Sequence, residues 1–435
     1  MHTPPQPHQN IQIIKDRLIF SVLRIQPSNT STLFNFSVDN DDRFQYLPFF
    51  SDFGPPELSH IHNFYLLVNQ ILSEHKEQIQ YVCGFTPQKI ANAVMFISSY
   101  NMIKNGLTPS EAFAPVSHLA ASLKPYRDAS SFPSTYDLTV MHCLKGLYRA
   151  MQFGWYRPET FNSSETIYYE QVENGDMNWL IPGKLLAFAS PYATNKIQGG
   201  YTVSTPKELI PIFRERGITR IVRLCQRFYD EKLFVNAGFK HTELYFLDGS
   251  VPPNDILNKF LDIIESHDVI ALHCKAGLGR TGTLAACYMI KDYGFDGDEA
   301  IGWIRICRPG SIIGPQQSYV LKFYELISKP SVPQSPVVSK NQVHTPTKIL
   351  RKATEKPPPI STKTTDSSYT TPTTDRYGSK KTKQSSTPQR EKHSEASAPR
   401  TPNSVTTMQA ELAKHVTAVS LTPKHPQPRK YNRPK

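Results

Sequence analysis

The sequence predicts an α/β protein of two tandem domains joined by a helical linker and followed by a disordered basic tail. Three observations predict this. A loop, helix, strand, helix pattern occurs twice in the same order, an acidic segment separates the two occurrences, and the composition changes sharply at Pro330.

The change at Pro330 bounds the folded part. A chain of 435 residues has room for two to three domains. Residues 330–435, however, hold 15 of the 36 prolines, three tyrosines and no Phe or Trp, too little apolar surface to offset chain entropy. From Lys329 onward 20 Lys and Arg face 6 Asp and Glu, a charge of +14; the whole chain carries +12, so the first 328 residues carry −2. The basic balance belongs to the tail. A globular nucleic-acid-binding face is therefore not expected on the body, and no specific nucleic-acid partner is assigned. No run approaches the roughly 18 consecutive apolar residues that span a bilayer, so no membrane partner is expected either. Cys83, Cys143, Cys225, Cys274, Cys287 and Cys307 form no C-x-x-C pair, and Met1 to Asn10 lacks an apolar signal core. Both point to an intracellular protein with reduced thiols.

The first copy runs from Asp52-Phe-Gly-Pro-Pro56 into an apolar helix at Ile61 and Phe64, then to a buried strand Gln80-Tyr-Val-Cys83 and a helix over Ala91 to Tyr100. The second runs from Asp248-Gly-Ser-Val-Pro-Pro253 through Ile256 and Phe260 to the strand Val269–Cys274 and a helix over Gly282 to Met289. Prolines are expected to start the first helix of each copy. Gly106-Leu-Thr-Pro-Ser-Glu-Ala112 and Gly294-Phe-Asp-Gly-Asp-Glu-Ala300 then match as a helix stop and a capped restart. Further elements of the second copy are a strand at Leu185–Phe188, a helix from Pro206 to Arg216, and strands at Ile218–Leu224 and Leu244–Phe246. The predicted boundaries are a flexible N-terminus 1–14, a non-catalytic domain 15–155, an acidic linker 156–183, a catalytic domain 184–329 and the tail 330–435.

The chemistry lies in His273-Cys274-Lys275-Ala276-Gly277-Leu278-Gly279-Arg280-Thr281-Gly282, between a predicted strand and a predicted helix, where inward backbone N–H groups form an anion cradle. Lys275, Ala276, Gly277, Leu278, Gly279 and Arg280 are the expected phosphate-binding residues, with both glycines expected to supply the turns. A helix N-terminus lowers a thiol's pKa, so Cys274 is the expected nucleophile. The Arg280 fork holds two phosphoryl oxygens in the transition state. Asp248 is the candidate acid for the leaving alkoxide, Gln316 and Gln317 are candidates to aim water at the cysteinyl-phosphate, and Thr281 is expected to stabilise the thiolate. His273 is expected to orient the loop. Neither a metal nor another cofactor is required.

The bland alternatives are a buried Cys274, a turn-forming Asp248 and helix-starting glutamines. Cys-x5-Arg-Thr with two internal glycines argues against the first. The equivalent loop of the first copy, Cys83-Gly-Phe-Thr-Pro-Gln-Lys89, has a proline in the turn and Lys in place of Arg, so Cys83 is expected to be inert. Between the copies, Glu170, Glu173 and Asp176 lie in a stretch without Lys or Arg; they are either a solvated face or a groove that reads basic substrate residues.

The loop resembles that of the protein tyrosine and dual-specificity phosphatases. Glu173-Asn-Gly-Asp-Met-Asn-Trp179, Pro182-Gly-Lys184, Phe246-Leu-Asp-Gly-Ser250, Trp303–Gln317, Phe53-Gly-Pro55 and Arg127-Asp-Ala-Ser130 narrow the resemblance, over residues 15–327, to the cell-division-cycle fourteen phosphatases. The resemblance implies two tandem dual-specificity-phosphatase-like domains with only the second active. It also implies phosphoprotein substrates with proline after the phosphoserine and a basic residue nearby, which are cyclin-dependent kinase targets, and a role in mitotic exit and cytokinesis. Residence in nucleus and cytoplasm, with nucleolus, spindle pole or centrosome, follows from the same resemblance; dimerisation is left open. Against the family pattern, Lys89 replaces an arginine and Cys225 stands where a polar amide is usual.

Two rival readings are a phosphoinositide phosphatase and a catalytically dead phospho-binding scaffold. Leu278, where a second loop lysine would grip an inositol ring, argues against the first; the intact Cys274, Asp248 and Arg280 argue against the second. In the tail, Thr345-Pro-Thr-Lys and Thr387-Pro-Gln-Arg have the form of cyclin-dependent kinase sites.

Overall fold

The computed structural model describes residues 8–198 and 201–328. The tail, with Thr345 and Thr387, lies outside the described residues.

The first sheet contains β1 (His8–Ile14), β2 (Leu18–Val22) and β3 (Leu33–Phe36). Helix α1 (Leu58–Glu74) leads into β4 (Gln78–Cys83), which completes the sheet in the order β1-β2-β4-β3. Strand β1 is antiparallel to β2, while β4 is parallel to both β2 and β3. Strand β2 is buried at all five positions, as expected of a parallel strand covered on both faces. Helix α2 (Pro87–Asn105) follows β4, capped by the Thr86 hydroxyl and stopped by Gly106 in the left-handed conformation. Helix α3 (Pro109–Phe113) restarts with a Thr108/Glu111 capping box, and α4 (Val140–Gln152) ends the first copy.

The connecting segment carries α5 (Ser163–Glu170). The second sheet starts with β5 (Met177–Ile181) and β6 (Leu185–Phe188), followed by the ribbon β7 (Lys196–Gln198) and β8 (Tyr201–Val203). Next come α6 (Pro206–Glu215), β9 (Arg220–Arg223), the one-turn α7 (Lys232–Val235) and β10 (Lys240–Glu243). Helix α8 (Asn254–Ile264), β11 (Ile270–His273) and the helices α9 (Gly279–Tyr293), α10 (Gly297–Cys307) and α11 (Pro315–Ser328) complete it. The sheet order is β10-β9-β11-β6-β5, with β5 antiparallel to β6 and the other pairs parallel.

The two sheets repeat one plan. β1, β2, β4 and β3 occupy the same order and sense as β5, β6, β11 and β9. The restart after α9 repeats that after α2, with Gly294 left-handed and an Asp296/Glu299 capping box before α10. Four expectations are corrected. Residues 1–14 are expected from the sequence to be a flexible N-terminus, but His8–Ile14 is the edge strand of the first sheet, paired with β2. The linker was expected to run to residue 183, but Met177–Ile181 is the edge strand of the second sheet, so the helical part of the linker is α5 and the short turn at Val172–Asn174. The strand expected at Leu244–Phe246 falls at Lys240–Glu243. Leu244 and Phe246 are apolar because they are buried at the sheet end, where only single backbone bonds to Arg223 and Leu224 continue the ladder. The prolines before α1 and α8 precede the helices, whose N-caps are Glu57 and Pro253.

The copies share one hydrophobic core, because α4 packs along α10. The crossing is close: a Cβ on Gly146 would sit 2.4 Å from the Glu299 carbonyl oxygen, and one on Gly302 would sit 3.0 Å from the Cys143 Cα. Beside it, buried Trp303 donates from its indole to the Leu180 carbonyl at 2.9 Å, and Trp155 stacks on Phe295. A seam of this kind makes the first copy a structural partner of the second.

Candidate active site

Cys274 follows β11, and α9 begins five residues later. The carbonyls of the intervening loop are held from outside. Ser190 N–H donates to Lys275 O at 2.9 Å, and Arg308 donates to Ala276 O at 2.9 Å and Gly277 O at 2.8 Å. A trans peptide sets each N–H opposite its carbonyl. The amides of Ala276, Gly277 and Leu278 therefore face the inner side of the loop, forming the concave donor set that binds anions. Gly277 has φ +69°, and a Cβ there would meet the Phe188 carbonyl oxygen at 2.1 Å. Gly279 is needed for a different reason than the expected turn: a Cβ there would sit 2.7 Å from Gln316 Oε1.

Burial pushes the Cys274 thiol up, but Arg280 and the hydroxyl and amide of Thr281 outweigh burial and hold it below the ordinary thiol value; Asp248 opposes them. The Arg280 guanidinium is buried. It donates to Leu224 O at 3.1 Å and Phe246 O at 2.9 Å, and pairs with Asp248 Oδ1 at 2.9 Å. Its Nε is buried without a hydrogen-bond partner. Asp248 remains partly exposed, at the edge of a cavity of roughly 150 Å³ whose wall includes Cys274, Lys275, Ala276, Leu278 and Gly279.

His273 is buried and orients the loop. Its Nδ1 lies 2.9 Å from Cys274 O and its Nε2 2.8 Å from the Tyr229 hydroxyl; burial lowers its pKa to about 3, so the ring is neutral. Bonding to a carbonyl assigns the proton to Nδ1. Both glutamine amides are hydrogen-bonded within the protein. Gln317 accepts from Arg305 at 2.8 Å and donates to Gly314 O at 3.2 Å, so its amide is committed to the framework beneath the loop. Gln316 accepts from Ile313 N and donates to Ser250 O at 3.0 Å, tying the Asp248 loop to the start of α11. Both are fully buried, because this framework supports the loop from behind.

Glu170, Glu173 and Asp176 line one cavity of roughly 250 Å³. It shares Phe49, Ala276 and Leu278 with the cavity above Cys274, so the two adjoin. The three carboxylates are not alike. Glu173 is exposed, Glu170 is buried at the end of α5, and Asp176 pairs with Arg308 at 2.9 Å. The linker tyrosines take no part in either wall: Tyr168 is half exposed and Tyr169 lies against Arg216. The apolar wall comes instead from Phe49, Phe50, Phe132, Ile167 and Pro309.

Sequence reasoning missed Arg308 and the aromatic residues that the first copy contributes. Arg308 lay within the Trp303–Gln317 stretch; Phe49, Phe50 and Phe132 carried no local signal. The loop of the first copy is filled by its own chain: Asp39 accepts from Gly84 N at 2.6 Å and lies 3.4 Å from Lys89 Nζ. Burial and that carboxylate push the Cys83 thiol well up, opposite to Cys274.

Residues 12–150 match the family model for the dual specificity protein phosphatase, N-terminal half, and residues 199–294 match that of a polymorphic toxin system DSP-PTPase phosphatase. The chain is 46% identical over 314 residues to zebrafish dual specificity protein phosphatase CDC14AB, covering 71% of this chain and 51% of that protein. It is 44% identical over 315 residues to human CDC14A, covering 71% and 52%. It is 39% identical over 312 residues to human CDC14C, covering 71% and 69%. This chain thus spans about half the length of the zebrafish and human CDC14A relatives. A solved structure of Tk-PTP in the active form aligns over 34% of this chain and 96% of its own, at 22% identity and a TM-score of 0.29. With 39% identity to a relative of which 69% is covered, the chain belongs to the CDC14 dual-specificity phosphatase family.

Proposed function

We propose that this chain is a protein phosphatase that hydrolyses phosphoserine, phosphothreonine and phosphotyrosine through a cysteinyl-phosphate on Cys274, with preference for proline-directed cyclin-dependent kinase sites that have a basic residue nearby. One observation carries the reading: a lowered cysteine thiol in a loop of inward amides, beside the Arg280–Asp248 pair. The thiolate attacks phosphorus while Asp248 gives a proton to the departing oxygen, and Arg280 holds the equatorial oxygens. Water then cleaves the S–P bond, with Thr281 stabilising the released thiolate. Family membership supports a role in cell-cycle control, at mitotic exit and cytokinesis, in nucleus and cytoplasm.

The adjoining acidic cavity supports the substrate preference. Exposed Glu173 sets negative potential next to the phosphate loop, suited to Lys or Arg after the phosphosite. Phe49 and Leu278, shared by both cavities, form the apolar boundary where proline would pass. The test measures p-nitrophenyl phosphate and paired Ser(P)-Pro-x-Lys and Ser(P)-Pro-x-Glu peptides with wild type and Cys274→Ser. Loss of all turnover in the variant and a wild-type preference for the lysine peptide support the reading. Full activity of the serine variant overturns the mechanism, and equal rates on both peptides overturn the preference.

A further inference from the structure

A further cavity lies between the linker helix α5, the edge strand β5 and α10, and its wall holds none of the residues assigned to hydrolysis. At roughly 320 Å³ it is about twice the size of the roughly 150 Å³ cavity above Cys274. That volume is at the lower end of the range for small-molecule sites, about 300–1,000 Å³. All three tryptophans of the chain, Trp155, Trp179 and Trp303, stand on its wall. Two of them are engaged elsewhere: Trp303 donates its indole N–H to Leu180 O, and Trp155 stacks on Phe295. Trp179 is not. It is partly exposed on the edge strand, and among the described residues its ring meets no other ring and its N–H no acceptor. An indole with a free face and a free N–H takes a planar ring.

The polar part of the wall offers donors. Asn178 is only 4% exposed. Arg308 donates to its Oδ1 at 2.7 Å, which fixes the orientation of the amide and leaves Nδ2 as a buried donor without a partner. Arg216 is in the same state. Its Nη2 pairs with Glu165 at 2.5 Å and its guanidinium lies 3.9 Å from the centre of the Tyr169 ring, but its Nε is buried and unpaired. An unpaired buried donor is costly, and an acceptor brought by a ligand relieves that cost. Arg157, exposed and unpaired among the described residues, adds a second cation to the wall. Glu165, the one carboxylate there, is already held by Arg216. Two cations, two buried donors and an open indole suit a ring that carries negative charge.

We propose that this cavity is a ligand site for a small planar aromatic anion, with the ring against Trp179 and the charge toward Arg157 and Arg216. Asn178 joins the site to the Cys274 loop: the amide that offers Nδ2 to the ligand is held at Oδ1 by Arg308, which also binds the carbonyls of Ala276 and Gly277. An aromatic carboxylate and a nucleoside monophosphate both carry this chemistry, and they differ in the anionic group.

The test titrates the full chain with anilinonaphthalene sulfonate and follows tryptophan emission, which reports on this wall because every tryptophan stands on it. Phenylnaphthylamine, the same ring system without the sulfonate, is the neutral control. The expected result is saturable quenching by the sulfonate probe, with the neutral probe bound several-fold more weakly. Arg157→Gln and Arg216→Gln, each checked for fold by circular dichroism, should weaken the sulfonate probe several-fold. Both should hardly change the neutral probe and leave p-nitrophenyl phosphate turnover near wild type. Phe132→Ser, in the wall of the Cys274 cavity, should leave probe binding unchanged. Cinnamate and adenosine monophosphate then compete for the bound probe, read by the probe's own emission; displacement by either supports the class and identifies the anionic group that is read. Absence of saturable binding, equal affinity for the two probes, or unchanged affinity in both arginine variants overturns the proposal. So does a loss of binding confined to Phe132→Ser, or a bound probe that neither competitor displaces.

Discussion

Arg308 holds Asp176 at 2.9 Å with the same guanidinium that donates to the carbonyls of Ala276 and Gly277 and, through Nη1, to Asn178 at 2.7 Å. One buried cation thus joins the end of the linker and the edge strand of the second sheet to the outside of the Cys274 loop. Removing one partner of such a pair leaves an uncompensated buried charge, at a cost of about 3–5 kcal/mol where burial is complete and less here, because Asp176 is partly exposed.

The first prediction separates two carboxylates that look equivalent in the sequence. Glu173→Lys should reduce kcat/KM several-fold for basic phosphopeptides and leave p-nitrophenyl phosphate nearly unchanged, because Glu173 is exposed and holds no loop carbonyl. Asp176→Lys should damage both substrates and lower the melting temperature, because it frees Arg308. Steady-state kinetics on the three substrates and a thermal melt decide it; equal behaviour of the two variants would show that neither role is assigned correctly.

The second concerns the acid. Asp248→Asn should lower phosphoserine peptide turnover by roughly 10²–10⁴, the range for a positioned proton donor. The loss should be much smaller for p-nitrophenyl phosphate, whose phenolate leaves without help. The variant also removes the negative charge beside Arg280, so binding of inorganic phosphate should tighten; a phosphate inhibition constant that does not fall would argue against the Arg280–Asp248 pair.

The third is the order of thiol reactivity. At neutral pH iodoacetamide should label Cys274 well before Cys83, Cys143, Cys225, Cys287 and Cys307, all of which burial pushes up. The alkylation rate of Cys274 should rise with pH through an inflection below that of an ordinary thiol, and Thr281→Ala should move it upward. Peptide mapping of the labelled chain reads both.

The fourth follows from buried histidines. Burial lowers His273 to about 3 and His241 to about 4, so below the ordinary histidine value of about 6.5 the unfolded chain binds more protons than the folded one. Stability should therefore fall as pH drops from about 6.5 toward 4. Each unit of depression corresponds to about 1.4 kcal/mol. Melts from pH 7 to 4.5 should show the decline, and His241→Gln, at the less buried site, should flatten it.

The fifth tests the seam. Gly146→Ala should destabilise the body by about 1–3 kcal/mol, the usual cost of overpacking, because the new Cβ meets the Glu299 carbonyl. Both copies should still unfold in one transition, since their core is continuous. Two separated transitions in the variant or the wild type would contradict a shared core.

The Cys274 loop was legible in the sequence because its determinants lie within ten contiguous residues. A strand, a cysteine, a glycine at positive φ, an arginine and a helix start are all local, and Cys274, Gly277 and Arg280 stand as that pattern predicts. The duplication was legible for the same reason: left-handed glycines and capping boxes recur in chain order. The extra strand at Met177–Ile181 was not, because an edge strand is defined by the partner it pairs with. Nor could local sequence show that Asp176 is bound by a cation 132 residues away, that Gln317 is turned toward Arg305, or that Phe49 and Phe132 stand over a cysteine of the other copy. Sequence by itself determined which groups can do the chemistry, since reactivity begins with residue type and local backbone. Only the tertiary structure decided which of them face the cavity, because burial, pairing and electrostatic balance depend on what the distant parts of the chain bring alongside.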